Sequence, residues 1–90
     1  MEINKILNNL EKINIIDLLN NSEVIYKNKD DILYILEYAN IIFLEHAKSN
    51  KKYINCIKIV EDTKKKLNYN ANYDMSIDNF LLRIWEEVNK

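Results

Sequence analysis

The chain has 90 residues, 13 basic against 14 acidic for a net charge of −1, and is 48% hydrophobic and 30% charged. That length holds one core of three to five helices and not two, the composition is that of a folding domain, and the charge balance removes the general phosphate attraction behind nucleic-acid binding. Glycine and proline are both absent, so tight turns lack a residue free at positive φ and one with φ pre-set; this argues against hairpins and sheets and leaves Asn, Asp and Ser as the turn-makers.

Ile3, Ile6, Leu7, Leu10 and Ile13 recur at the three- and four-residue steps of one helix face and predict an amphipathic first helix reaching Ile13. Ile15, Ile16, Leu18 and Leu19 then predict a short helix that breaks around Asn20-Asn21-Ser22 before Val24, Ile25 and Tyr26 return to the core. Asp30 and Asp31 stand where an N-cap and a first-turn acid belong, accepting from free backbone N–H groups and favouring the positive end of the helix dipole. The long helix they open carries Ile32, Leu33, Ile35, Leu36, Ala39, Ile42, Phe43 and Ala47, with Tyr34, Tyr38 and Ile41 widening its stripe. It is the candidate for the central helix. Lys48-Ser49-Asn50-Lys51-Lys52 makes the next turn. Tyr53, Cys56, Ile57, Val60 and Leu67 share one face of a further helix, whose wet side is marked by Glu61 with Lys65 and Asp62 with Lys66, acid before base at four-residue spacing. Asn68 to Asn72 interrupt the pattern. Asn72 is placed to cap a last helix built on Ile77, Phe80, Leu81, Ile84 and Val88. The expectation is an all-α, compact bundle of about five helices spanning 1–90 as one domain.

Chemistry-bearing motifs are few. A phosphate-cradling loop needs glycines that let backbone N–H groups approach the ligand, and the chain has none, so no nucleotide or other cofactor is expected. His46 is the single histidine and Cys56 the single cysteine; no serine or second acid is predictably beside His46, and Cys56 falls on another helix. Both read as structural. Glu37, Glu45 and Glu61 lack the Glu-x-x-His or His-Glu-x-x-His spacing of a metal site, so no metal is expected. Lys64-Lys65-Lys66 is balanced by Glu61 and Asp62 and reads as a solvated face, which leaves DNA contact by this domain unexpected. Apolar runs such as Ile41–Leu44 are far short of the roughly 20 residues that span a bilayer, the start has no signal-peptide pattern, and an unpaired cysteine suits a reducing compartment. A cytoplasmic location with no membrane association follows as the expectation.

Large aromatics contribute much of the buried area in cores and interfaces alike. Tyr69, Tyr73, Phe80 and Trp85 crowd the C-terminal end. Phe80 belongs to the core stripe, whereas Tyr69, Tyr73, Leu82 and Trp85 are the candidate interface residues. Asn70 suits the left-handed geometry that ends one helix while Asn72 caps the next, setting the angle between them without glycine.

The stretch from Leu67 through Asn70-Ala71-Asn72 and on through Ile77, Asp78, Asn79, Phe80, Leu81, Leu82, Arg83 and Ile84 resembles the C-terminal end of the bacterial DNA polymerase III delta prime family. In that family a helix ending in basic residues and leucine runs into an Asn-x-Asn turn and then a Leu-rich helix. The helix from Ile54 to Lys66, with Glu61-Asp62-Thr63-Lys64, looks like the family's penultimate helix. The family often has Glu where Asp78 stands and an aliphatic residue where Phe80 stands. The resemblance implies a clamp-loader collar domain, the C-terminal fragment of a longer subunit, in which helical domains pack side by side into a ring. Delta prime is a stator without ATP hydrolysis. The implied role is therefore non-catalytic: subunit assembly that helps load the sliding clamp onto primed DNA, within a complex that is itself a nucleotidyltransferase. The implied partners are the gamma/tau and delta type subunits, and an isolated ring segment is expected to cover its apolar area by self-association. Two other expectations compete with this one, a free-standing helical adaptor or regulator and a small helical hydrolase using His46.

Overall fold

The computed structural model describes residues 2–69 and 72–90; Met1, Asn70 and Ala71, and the side chains of Glu2 and Val24, lie outside what it describes. The fold is all-α. In chain order come α1 (Glu2–Asn8), α2 (Ile15–Asn20), a single turn α3 (Glu23–Tyr26), a 3-10 turn (Lys29–Asp31), α4 (Ile32–Ala47), α5 (Lys52–Asn68) and α6 (Tyr73–Val88). No strand occurs among the described residues.

The first helix is shorter than its apolar stripe. The Asn8 and Asn9 side-chain amides donate to the Asn4 and Lys5 carbonyls at 2.9 and 2.6 Å, a local competition with the helix ladder that Asn is suited to. The chain leaves the helix after Asn8, yet Leu10 in the following turn is fully buried and Ile13 packs against the core. Asn14 then caps α2: its Oδ1 accepts from the Asp17 N–H at 2.8 Å and its Nδ2 donates to the Asp17 carboxylate at 3.0 Å. The predicted break falls at Asn21 and Ser22, whose side chains donate to the Asp17 and Leu19 carbonyls.

Asp31 occupies the N-cap position of α4 without capping it. Its φ of −108° and ψ of 15° are not the extended geometry that aims an N-cap side chain at the second and third helical N–H groups, and no side-chain bond forms there. The 3-10 turn leads the chain into α4 instead, with the Asp31 N–H donating to the Asn28 carbonyl at 2.9 Å. At α6 the expectation holds: the Asn72 Oδ1 accepts from the Met75 N–H at 2.9 Å.

The central helix is α5, not α4. It packs along both α4 and α6, the two most extensive helix pairings in the molecule, while α2 lies on α6. The widened stripe of α4 explains the difference, because only half of it is covered. Ile35, Leu36, Ala39, Ile42 and Phe43 are buried, whereas Leu33, Tyr34, Ile41 and Leu44 face outward. On α5, Tyr53, Cys56 and Val60 are buried as the spacing predicts, and Ile59 and Thr63 join them. Thr63 is satisfied by donating to the Ile59 carbonyl at 2.8 Å. All five predicted core residues of α6, Ile77, Phe80, Leu81, Ile84 and Val88, are buried, and each such side chain is worth roughly 1.5–3 kcal/mol.

Because the N-terminal third is made of short pieces, many of its carbonyls have no helix partner. The last helix and the residue after it supply donors. Trp85 Nε1 donates to the Ile13 carbonyl at 2.8 Å, Asn89 Nδ2 to the Leu10 carbonyl at 2.9 Å, and the Tyr73 hydroxyl to the Ile25 carbonyl at 3.0 Å. These bonds seat the segment from Leu10 to Ile25 on α6, while α1 packs on α3 and α4.

Candidate interaction surfaces

The four aromatic and leucine candidates divide in two. Tyr69 and Leu82 are exposed. Tyr73 and Trp85 are half-buried, and their polar atoms are spent on the Ile25 and Ile13 carbonyls. Tyr73 also stands edge-on to Tyr26, ring centroids 6.4 Å apart, with the Lys29 ammonium over its ring. Burial, helped by Asp74, pushes the Tyr73 hydroxyl up, so it stays a donor at neutral pH. Asn72 is the helix cap; Asn70 lies outside the described residues.

His46 stacks on Tyr53, centroids 4.8 Å apart and planes 22° from parallel, with its Nε2 2.7 Å from the Asn8 Oδ1. It joins α1 to the α4–α5 corner, next to an Asn50 to Glu11 bond of 2.8 Å. Cys56 is fully buried and its thiol is pushed up to about 12 by burial, with the Glu87 charge adding to it; at neutral pH it is a thiol and a poor nucleophile. Glu37 is bound by Lys64, Glu45 by Lys48, and Glu61 by Lys64 and Asn40. Among the described residues, no three His, Cys, Asp or Glu side chains stand where they could hold a metal ion.

The lysine triplet is tied down differently from the spacing rule. Lys66 meets Asp62 at 3.4 Å as predicted, but Glu61 pairs with Lys64, at 3.3 Å, and Lys64 also crosses to Glu37 on α4. The cross-helix partner draws Lys64 onto the α4–α5 seam, where it is mostly covered. Arg83 on α6 donates to Asp62 at 2.6 Å from the other side, and that guanidinium, with Lys66, holds the Asp62 carboxyl below the usual range.

No protein-family signature, no curated protein and no solved structure matches this chain.

Among the described residues, two apolar surfaces stand out once the core is filled. The outward face of α4 presents Leu33, Tyr34, Ile41 and Leu44, between half and three-quarters exposed, and Ile54 at the start of α5 is also exposed. The Glu37–Lys64 ion pair lies within this face. Away from α4, a groove of about 720 Å³ runs between α2 and α6, lined by Leu19, Tyr26, Met75, Asp78 and Leu82 among others. The Tyr26 hydroxyl donates to the Asp78 carboxylate there, and burial with that bond pushes the hydroxyl up to about 12. Scattered exposed apolar residues are ordinary; here four share the outward side of one helix, two on each side of Glu37 along the chain.

The widened α4 stripe was visible in the sequence. The groove was not, because Leu19 and Met75 come from helices 56 residues apart, brought together by the packing of α2 on α6 and by bonds from Trp85, Asn89, Tyr73 and Tyr26. No described helix is long and apolar enough to cross a membrane.

Proposed function

We propose that this chain is a non-catalytic assembly domain, the collar domain of a DNA polymerase III clamp-loader delta prime subunit, working by association with gamma/tau and delta type subunits. The observation that carries the assembly reading is the pair of uncovered apolar surfaces on a domain whose core is already complete. Side chains such as Ile41 and Met75 are about two-thirds exposed, so burying the rest against a partner is worth part of the roughly 1.5–3 kcal/mol of full burial. The clamp-loader reading rests on the resemblance over residues 54–85. Asn72 capping α6 at the Asn-x-Asn turn is in keeping with it, as is the all-α bundle. The buried Cys56 thiol and the internally engaged His46 favour association over chemistry.

The test is co-purification. Mixed with gamma/tau and delta type subunits, the chain is expected to elute with them from a sizing column as a defined complex. Leu82→Asp and Tyr69→Ala variants, changed at exposed positions, should weaken that complex while leaving the helical signal intact. Elution of the unaltered chain by itself, in the presence of folded partner subunits, sinks the clamp-loader assignment and leaves a free-standing helical adaptor.

A further inference from the structure

We propose that the groove between α2 and α6 receives an amphipathic helix of a partner protein, one that brings a lysine or arginine to Asp78 between its apolar anchors. Spacing gives the shape of the occupant. One wall presents Leu19, Ser22 and Tyr26 and the other Met75, Asp78 and Leu82, so each repeats at steps of three and four. Ser22 and Ser76, small and buried, lie between the larger side chains. Leu19 and Leu82 are each 38% exposed and Met75 71%. Ile16, one turn before Leu19, carries the first wall further and is exposed as well. Walls with that period match the apolar stripe of a helix laid between them, whose own anchors recur at i, i+3 or i+4, and i+7.

Charge selects which helix. Among the described residues lining the groove, Asp78 alone is charged. The Tyr26 hydroxyl donates to its Oδ1, a neutral partner that leaves the negative charge in place and Oδ2 open. Among the described residues, neither Asp78 nor Asp74, one turn before it, forms an ion pair, and the cations nearest along the chain are engaged elsewhere. Lys27 meets Glu23 at 3.8 Å, Lys29 sits over the Tyr73 ring and Arg83 holds Asp62. Asp78 and Asp74 both push the Tyr26 hydroxyl up, as two uncompensated carboxylates would. Covering Asp78 with apolar surface alone strands a carboxylate away from water, and an acidic helix repels it. A basic side chain at the open oxygen replaces that cost with a charge-assisted hydrogen bond. The proposal rests on the assembly reading, naming the occupant of one of its two surfaces, and does not depend on the clamp-loader assignment.

The probe is a synthetic helical peptide of about 18 residues, with leucines at i, i+4, i+7 and i+11 and lysines at the flanking positions, titrated into the isotopically labelled full chain. Amide shifts are expected at Leu19, Tyr26, Met75 and Leu82 and not at Leu33 or Ile41. Glutamates in place of the peptide lysines weaken binding at least tenfold. Met75→Lys weakens the lysine peptide to the same degree with unchanged circular dichroism, whereas Ile41→Lys, on α4, leaves it alone. Asp78→Asn, which keeps an acceptor for Tyr26, removes the preference for the lysine peptide, and Asp78→Lys reverses it. Equal affinity of the unaltered chain for the two peptides overturns the proposal. So do shifts centred on α4, a preference indifferent to Asp78→Asn, or no shift at millimolar peptide. Peptide binding by a chain that fails to join clamp-loader subunits keeps the groove and discards that assignment. Assembly with those subunits and no peptide binding overturns the groove and keeps the assembly reading.

Discussion

Residues 32–88 and residues 2–31 are built on different principles. The first region is three helices of 16, 17 and 16 residues whose backbone groups satisfy one another and whose buried stripes meet along two long seams. The second is three helices of seven, six and four residues and a 3-10 turn. Helices that short do not persist in water, because the cost of nucleation is not recovered over one or two turns. They stand because Leu10, Leu18 and Ile25 are buried and because Trp85, Asn89 and Tyr73 reach over to their free carbonyls. The difference teaches that α6 has two functions: it completes the long-helix core with one face and organises the N-terminal third with another.

The sharpest way to break the comparison is to empty the shared core. Phe80→Ala is expected to destabilise the chain by about 3–5 kcal/mol in urea denaturation, with both regions unfolding together, since Phe80 lies in the same cluster as Leu10 and Leu18. Were the N-terminal third to melt separately in that variant, the two regions would be independent units.

Trp85→Phe probes the link between the regions. It leaves the Ile13 carbonyl without its donor while keeping an aromatic ring at the site, and the expected loss is about 1–3 kcal/mol. Amide exchange by NMR should quicken in residues 10–20 and stay nearly unchanged in the middle of α5. Uniform acceleration along the whole chain would show that Trp85 matters only as core volume.

The long helices were legible from periodicity because each presents three to five turns of consistent pattern, and all five α6 core positions follow from spacing alone. The N-terminal third was legible as apolar content but not as geometry. A stripe from Ile3 to Ile13 is compatible with one helix, and nothing in it announces that Asn8 and Asn9 will turn back on their own turn. Asp31 shows the same limit, since its identity suits a cap and its backbone angles do not. For the surfaces, the excess width of α4 gave Ile41 and Tyr34 away. Trp85, by contrast, lies off the α6 stripe because it serves a loop carbonyl 72 residues earlier, and no local pattern encodes such a partner.

The two Asn caps give a smaller and more even test. Asn72 and Asn14 each accept a backbone N–H at the start of a helix, at 2.9 and 2.8 Å, and each should cost about 0.5–2 kcal/mol on replacement by alanine. Asn72→Ala is expected to lower the melting temperature of the entire chain. Asn14→Ala should act mainly on exchange rates in α2, because α2 alone depends on it. Equal effects of the two on the global transition would mean that α2 is as deeply integrated as α6.

The weakest effect is electrostatic and belongs to the long-helix region alone. The Arg83 bond, with Lys66 beside it, lowers the Asp62 carboxyl in the folded chain, so below the unfolded value near 3.9 the unfolded chain binds the extra proton first. The contribution to stability is then complete above about pH 4 and is lost as pH falls through the folded value. Asp62 is 44% exposed, so solvent screening holds the effect to at most about 1 kcal/mol. Glu61 and Glu87, lowered by their Asn and Lys partners, act in the same direction. Denaturation midpoints for the unaltered chain should fall between pH 4.5 and about 3, and Arg83→Gln should flatten that slope by removing the largest cause of the Asp62 shift. A slope that Arg83→Gln leaves intact would assign the acid sensitivity to carboxylates elsewhere and remove the α5–α6 ion pair from the account of what holds the long helices together.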